Sequence, residues 1–170
     1  MIEAQFSGQK ISSNSEDAFM LFEKSRFGEK LSNKIEYSLV EALFLLKEEK
    51  LDLFSNSKKL SDEQAMKKAR ALDKKIEIKL AVFADLRKKG FIVKTALKFG
   101  ADFRIYDRGI HPGEDHAKWI LFVTKDTDAM HWQDFAAKNR VAHSTKKNLL
   151  IAIVDEEADV SYYEVSWIRP

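Results

Sequence analysis

The chain has 170 residues, 45% hydrophobic and 33% charged, with a formal net charge of only +2. That balance suits one large or two small folded units with buried cores, and it excludes a uniformly polybasic nucleic-acid binder, so any hold on phosphate must come from local clusters of Lys and Arg. Cysteine is absent, which excludes disulfides, thiolate nucleophiles and Cys-ligated zinc or iron.

The opening residues Met1-Ile2-Glu3-Ala4-Gln5-Phe6-Ser7 lack a basic segment followed by an apolar leader. The longest apolar run, 149–154, is far shorter than a membrane span. A cytoplasmic protein with no membrane partner is expected. The first 37 residues read as short, poorly periodic pieces, with a short helix at 18–23 and a turn at 25–29. Ser38 followed by Glu41 predicts a capping box, and Leu39, Val40, Ala42, Leu43 and Leu46 give the helix after it an apolar face. A short strand follows near Leu51 and Leu53. Ser61 and Gln64 predict a second capping box. Helical spacing then runs through Ala65, Ala69, Leu72, Ile76, Leu80, Phe83 and Leu86 to Gly90, as one helix or two.

After Gly90 the pattern changes to strands at 91–93, 103–106, 119–124, 149–154 and 160–167, with a short helix at 132–138. Gly109, Pro112 and Gly113 make 107–115 a loop. Asp155-Glu156-Glu157-Ala158-Asp159 reads as an acidic turn. The expected fold class is α/β (α+β). A small N-terminal α+β domain at 1–78 precedes a nuclease-type domain at 79–170, with a central mixed sheet flanked by helices.

Three features carry candidate chemistry. Tyr106 ends a strand, with His116 ten residues on across the loop. Arg140, His143, Lys146 and Lys147 cluster before a buried strand. The acidic turn is the third. Each has a plainer reading: a rim tyrosine, a solvated histidine, a solubilising edge and a hairpin tip. Jointly they suit RNA, which cleaves through its own 2′-hydroxyl given a base, an acid and a cation for the charged phosphorane. Imidazole, with an unperturbed pKa of about 6.5, suits the acid. A phenol at about 10 needs a nearby cation to serve as base. His111, Glu114, Asp115 and His116 crowd one loop as an alternative divalent-ion site, yet match no zinc spacing. Glu77-Ile78-Lys79 has the letters of a metal-dependent nuclease motif but falls in a helix.

Several blocks resemble the archaeal tRNA-intron endonucleases: Ser38-Leu39-Val40-Glu41-Ala42-Leu43, residues 85–95, residues 99–106 ending in Tyr106, and residues 140–155 around Lys147. The resemblance implies Tyr106 as general base, His116 as general acid and Lys147 as transition-state stabiliser, with Lys146 the alternative. It implies that Arg140 grips a flipped bulge base, with Arg169 as its partner. It also implies metal-independent cleavage of precursor tRNA at a bulge-helix-bulge, without a cofactor, leaving 2′,3′-cyclic phosphate and 5′-hydroxyl ends. Assembly would be a homotetramer, or a heterotetramer with a sister subunit, in which Asp155, Glu156, Glu157 and Asp159 insert into a basic groove of another subunit. A noncatalytic scaffold subunit of the same assembly is the competing reading.

Overall fold

A computed structural model describes all 170 residues. They form two compact units, Met1–Leu80 and Ala81–Pro170. No helix is long and apolar enough to cross a membrane.

The first unit contains β1 (Ile2–Ser7), β2 (Lys10–Ser13), α1 (Glu16–Ser25), β3 (Glu29–Lys30), β4 (Ile35–Tyr37), α2 (Leu39–Lys47), β5 (Leu51–Ser55), β6 (Lys58–Lys59) and α3 (Asp62–Leu72). Its sheet runs β3-β4-β2-β1-β5-β6, with β1 parallel to β5 and the other pairs antiparallel. The β1–β2 hairpin is absent from the sequence reading. Its alternation is present, since Ile2, Ala4 and Phe6 are buried while Glu3, Gln5 and Ser7 are exposed. One inward residue is only an alanine, however, and β2 turns Ser13 inward, so the apolar contrast is weak.

Both capping boxes form. Ser38 Oγ accepts from the Glu41 amide at 3.4 Å, and Glu41 accepts from the Ser38 amide at 3.0 Å. Ser61 and Gln64 exchange the same pair at 3.2 and 3.0 Å. Glu41 is only 4% exposed, and its other carboxylate oxygen accepts from the Gly28 amide at 2.9 Å. A buried carboxylate is tolerable when hydrogen bonded in this way. Gly28 has φ +79°, and a Cβ there would overlap Ile35 Cγ2 and lie 3.0 Å from the Glu36 carbonyl oxygen. Gly28→Ala is therefore expected to destabilise the first unit by about 2–4 kcal/mol, from left-handed strain plus overpacking. Chemical denaturation of the variant checks this.

The helical stretch after Ser61 is two helices. Asp73 takes an extended conformation, and its carboxylate accepts from the Lys75 amide at 2.9 Å and the Lys79 ammonium at 2.7 Å. It ends α3 and leads into α4 (Ile76–Lys88). Gly90, at φ +91°, closes α4: its amide reaches the Arg87 carbonyl and the Phe91 amide reaches Leu86, both at 3.1 Å.

The second unit holds most of α4, then β7 (Ile92–Thr95), a 3₁₀ turn (Leu97–Phe99), β8 (Phe103–Tyr106), β9 (Trp119–Lys125), α5 (Trp132–Ser144), β10 (Asn148–Val154) and β11 (Val160–Val165). The sheet is mixed, in the order β11-β10-β9-β8-β7, with β9 and β10 parallel and the rest antiparallel. Alternation divides its two faces. Ile120, Phe122, Leu149 and Ile151 pack with Ala142 of α5. Phe103 points to the other face, where its ring meets Phe83 of α4 at 6.0 Å. The helices thus flank the sheet as expected. α5 runs six residues beyond the sequence estimate, so Arg140 and His143 are helical.

Candidate active site

Strand register brings Tyr106 and Lys147 to one end of the second sheet, and the loop that follows Tyr106 carries His116 to the same end. Ile105 of β8 pairs with Trp119 of β9, which pairs with Asn148 of β10. Tyr106 follows Ile105, and Lys147 precedes Asn148. Residues remote in sequence are thereby separated by two strand spacings, roughly 10 Å. The loop between Tyr106 and Trp119 closes the gap. Tyr106, Ile92 and Ala117 form a buried cluster with Ile110 packed on it, which anchors the loop at both ends. The Lys118 amide donates to the Ile105 carbonyl at 2.9 Å, fixing the residues just after His116.

These elements surround a concavity of about 350 Å³ lined by Tyr106, His116, Lys147, Phe99, Arg104 and the loop residues from Gly113 to Ala117. Tyr106 is buried, His116 is exposed and Lys147 is half-buried. Of the four tyrosines, Tyr106 is the one that lines this cavity. Burial raises the Tyr37 hydroxyl above the ordinary phenol range, with a further push from Glu41. Burial likewise raises Tyr162, aided by its 2.7 Å hydrogen bond to the Asp85 carboxylate. Neither is suited to accept a proton near neutrality.

The end of α5 separates the two lysines. Lys146 stands at φ +55°, its amide donating to the His143 carbonyl at 3.1 Å, and the Lys147 amide donates to Ala142 at 2.9 Å. This paired closure reverses the chain after the helix. It leaves Lys146 exposed and turns Lys147 into the concavity. The Lys147 ammonium donates to the Thr145 carbonyl at 3.1 Å and lies 5.4 Å from the Phe99 ring centroid. Thr145 is itself held by its hydroxyl on the Val141 carbonyl at 2.8 Å.

Asp107, next to Tyr106, accepts from the Arg108 amide at 2.9 Å, and this bond, with Lys118 at 3.4 Å, holds its carboxyl below the usual range. His111, Glu114, Asp115 and His116 share the loop, but no three of them gather as a metal-holding group.

Neither Arg140 nor Arg169 lines the concavity. Arg140 lies exposed on α5, one turn before His143. The His143 ring packs on Trp167 at 4.5 Å, and the Arg169 guanidinium lies 5.3 Å from the same indole. The C-terminal tail thus carries Arg169 toward the end of α5. In the acidic turn, Asp155 Oδ1 accepts from the Glu157 and Asp159 amides, both at 2.9 Å. Asp155 therefore shapes the turn, while Glu156, Glu157 and Asp159 extend from it exposed.

Arg104 was not a candidate in the sequence reading. The signal available was its position two residues before Tyr106, which puts both on one strand face. Its burial depends on the neighbouring strands.

The fold and this arrangement define a two-unit nuclease-type protein with a tyrosine, a histidine and a lysine around one cavity. Comparison with known proteins gives the family. Residues 2–66 match the model of the tRNA intron endonuclease N-terminal domain, and residues 76–162 match that of the catalytic C-terminal domain. The chain belongs to the tRNA intron endonuclease family. It is 39% identical over 170 residues to the tRNA-splicing endonuclease of Thermococcus kodakarensis, covering 99% of each chain. It is 36% identical to that of Pyrococcus abyssi, covering 99% of this chain and 98% of the relative. Identity to the tRNA-splicing endonuclease of Nanoarchaeum equitans is 41% over 141 residues, 79% of this chain and 90% of the relative.

Proposed function

We propose that the chain cuts precursor tRNA at bulge-helix-bulge exon–intron junctions by attack of the substrate's own 2′-hydroxyl. The observation that carries this reading is the convergence of Tyr106, His116 and Lys147 on one concavity in a member of the endonuclease family.

In this mechanism the 2′-oxygen attacks the adjacent phosphorus and gives its proton to Tyr106, which acts as base in its phenolate form and becomes the neutral phenol. The phosphorus–5′-oxygen bond breaks, and the departing oxygen takes a proton from His116. Lys147 neutralises charge on the phosphorane, an effect strengthened where the cavity excludes water. The products are a 2′,3′-cyclic phosphate and a 5′-hydroxyl, and no metal takes part. Arg140 and Arg169 hold a flipped bulge base, since guanidinium groups stack well on unpaired bases. RNA helices of A form hide their deep groove from side chains, so recognition is of shape more than of sequence.

The decisive experiment incubates the purified chain with a bulge-helix-bulge RNA in excess EDTA. Cleavage at both junctions with cyclic phosphate ends supports the proposal. Loss of cutting in EDTA, restored by a divalent ion, would favour a metal-dependent nuclease. A chain that binds the RNA without cutting it would be a scaffold subunit.

Two junctions in one substrate call for two active sites at fixed separation, which a homotetramer, or a heterotetramer with a sister subunit, would supply. The acidic turn would seat in a basic groove of another subunit. β11 is an edge strand with Tyr163 exposed, and it is free to pair across a two-fold axis. Because Asp155 shapes its own turn, the informative variant leaves it in place. Glu156→Ala, Glu157→Ala and Asp159→Ala together are expected to shift the native mass from tetramer toward smaller species. An unchanged mass by light scattering would refute the role of the turn.

A further inference from the structure

We propose that Arg104 is a fourth catalytic group, whose guanidinium binds a non-bridging oxygen of the scissile phosphate. This inference rests on the RNA-cleavage reading above and adds to it a fixed anion receptor beside the base.

Strand alternation is the first support. Phe103 and Ile105, 2% and 1% exposed, occupy one face of β8, while Arg104 and Tyr106 share the other. Arg104 and Tyr106 also line the same concavity as His116 and Lys147. A group two residues from the base on a rigid strand is held in fixed relation to it, with no loop between them.

The hydrogen-bonding state of Arg104 is the second support. The side chain is half-buried, and its Nε is fully buried with no acceptor. Glu114 and Asp115 line the cavity too, yet neither forms an ion pair with it. An N–H kept from water without an acceptor is unfavourable unless the functional state supplies one. The cavity's proposed occupant is a phosphodiester, and the guanidinium fork fits two phosphate oxygens at once. Lys147 presents a point charge and cannot supply that geometry. The division of labour follows: Arg104 orients the phosphate, and Lys147 meets the charge that grows on it.

A purely structural arginine would hold its strand in place through its aliphatic stem. Methionine preserves much of that stem without the charge, so Arg104→Met separates the two roles. Single-turnover cleavage of a bulge-helix-bulge RNA is measured for wild type, Arg104→Met, Arg104→Lys and Arg104→Ala, with RNA affinity and thermal melting alongside. The expected result is a loss of roughly 100-fold in cleavage rate for Arg104→Met, comparable to removal of one oxyanion donor, with a near-wild-type melting curve. Arg104→Lys is expected to recover part of the rate. Guanidinium ion at millimolar concentration is expected to rescue Arg104→Ala, with equimolar sodium chloride giving no rescue.

Wild-type-like cleavage by Arg104→Met would overturn the inference and leave the RNA-cleavage reading standing. Slow cleavage by all three variants without guanidinium rescue would also overturn it, since the arginine would then act through the fold. Failure of the wild-type chain itself to cut would instead remove the parent reading, and the inference with it.

Discussion

His116→Ala is expected to slow single-turnover cleavage by about 100- to 10,000-fold, the usual contribution of a positioned proton donor. RNA affinity should be nearly unchanged. The side chain is exposed, and its loop is anchored by Tyr106, Ile92, Ala117 and the Lys118 amide rather than by the imidazole. Removing it should therefore alter stability by no more than about 0.5 kcal/mol. A slow rate together with an unaltered melting curve would locate the defect in proton transfer. Wild-type cleavage by the variant would remove His116 from the mechanism.

Lys147→Ala is expected to cost about 100- to 1,000-fold in the same assay, comparable to loss of one oxyanion donor. The helix closure uses the Lys147 backbone amide, which alanine retains, so the end of α5 should survive. What is lost is the ammonium beside Phe99 and Thr145. Lys146 supplies the matched control. It occupies a left-handed conformation and is exposed, so Lys146→Gly should cut normally and gain about 0.5–1 kcal/mol of stability. If Lys146→Gly is slow and Lys147→Ala is not, the stabilising cation is Lys146.

The two lysines show what the sequence made legible and what it hid. Both capping boxes, the Gly90 stop and the strands carrying Tyr106 and Leu149 rest on local signals, and all were readable. The end of α5 was not, because it closes on a lysine in place of glycine and carries no stop signal. Its reading as a short helix left Arg140 and His143 outside it. The β1–β2 hairpin was lost for a related reason, as Ala4 and Ser13 give little hydrophobic contrast on its inner face.

Within the site, residue types were legible and their meeting was not. Tyr106 and Lys147 are 41 positions apart. They come together only because β9 pairs antiparallel with β8 and parallel with β10, so that the end of one strand and the start of another share an edge. No local pattern encodes that register. Their significance came from resemblance to a family, and the register supplies the physical reason the resemblance has. Arg104 lies at the other extreme. It is an ordinary strand arginine in sequence, and its buried Nε without an acceptor is visible only in the folded structure.

The most direct test concerns the bond that breaks. A substrate with sulfur in place of the bridging 5′-oxygen has a leaving group that departs without protonation. On that RNA, His116→Ala should cleave at nearly the wild-type rate, while Lys147→Ala remains slow. If His116→Ala stays as impaired on the sulfur substrate as on the natural one, the imidazole does not donate to the leaving oxygen, and the proposed division of roles is wrong.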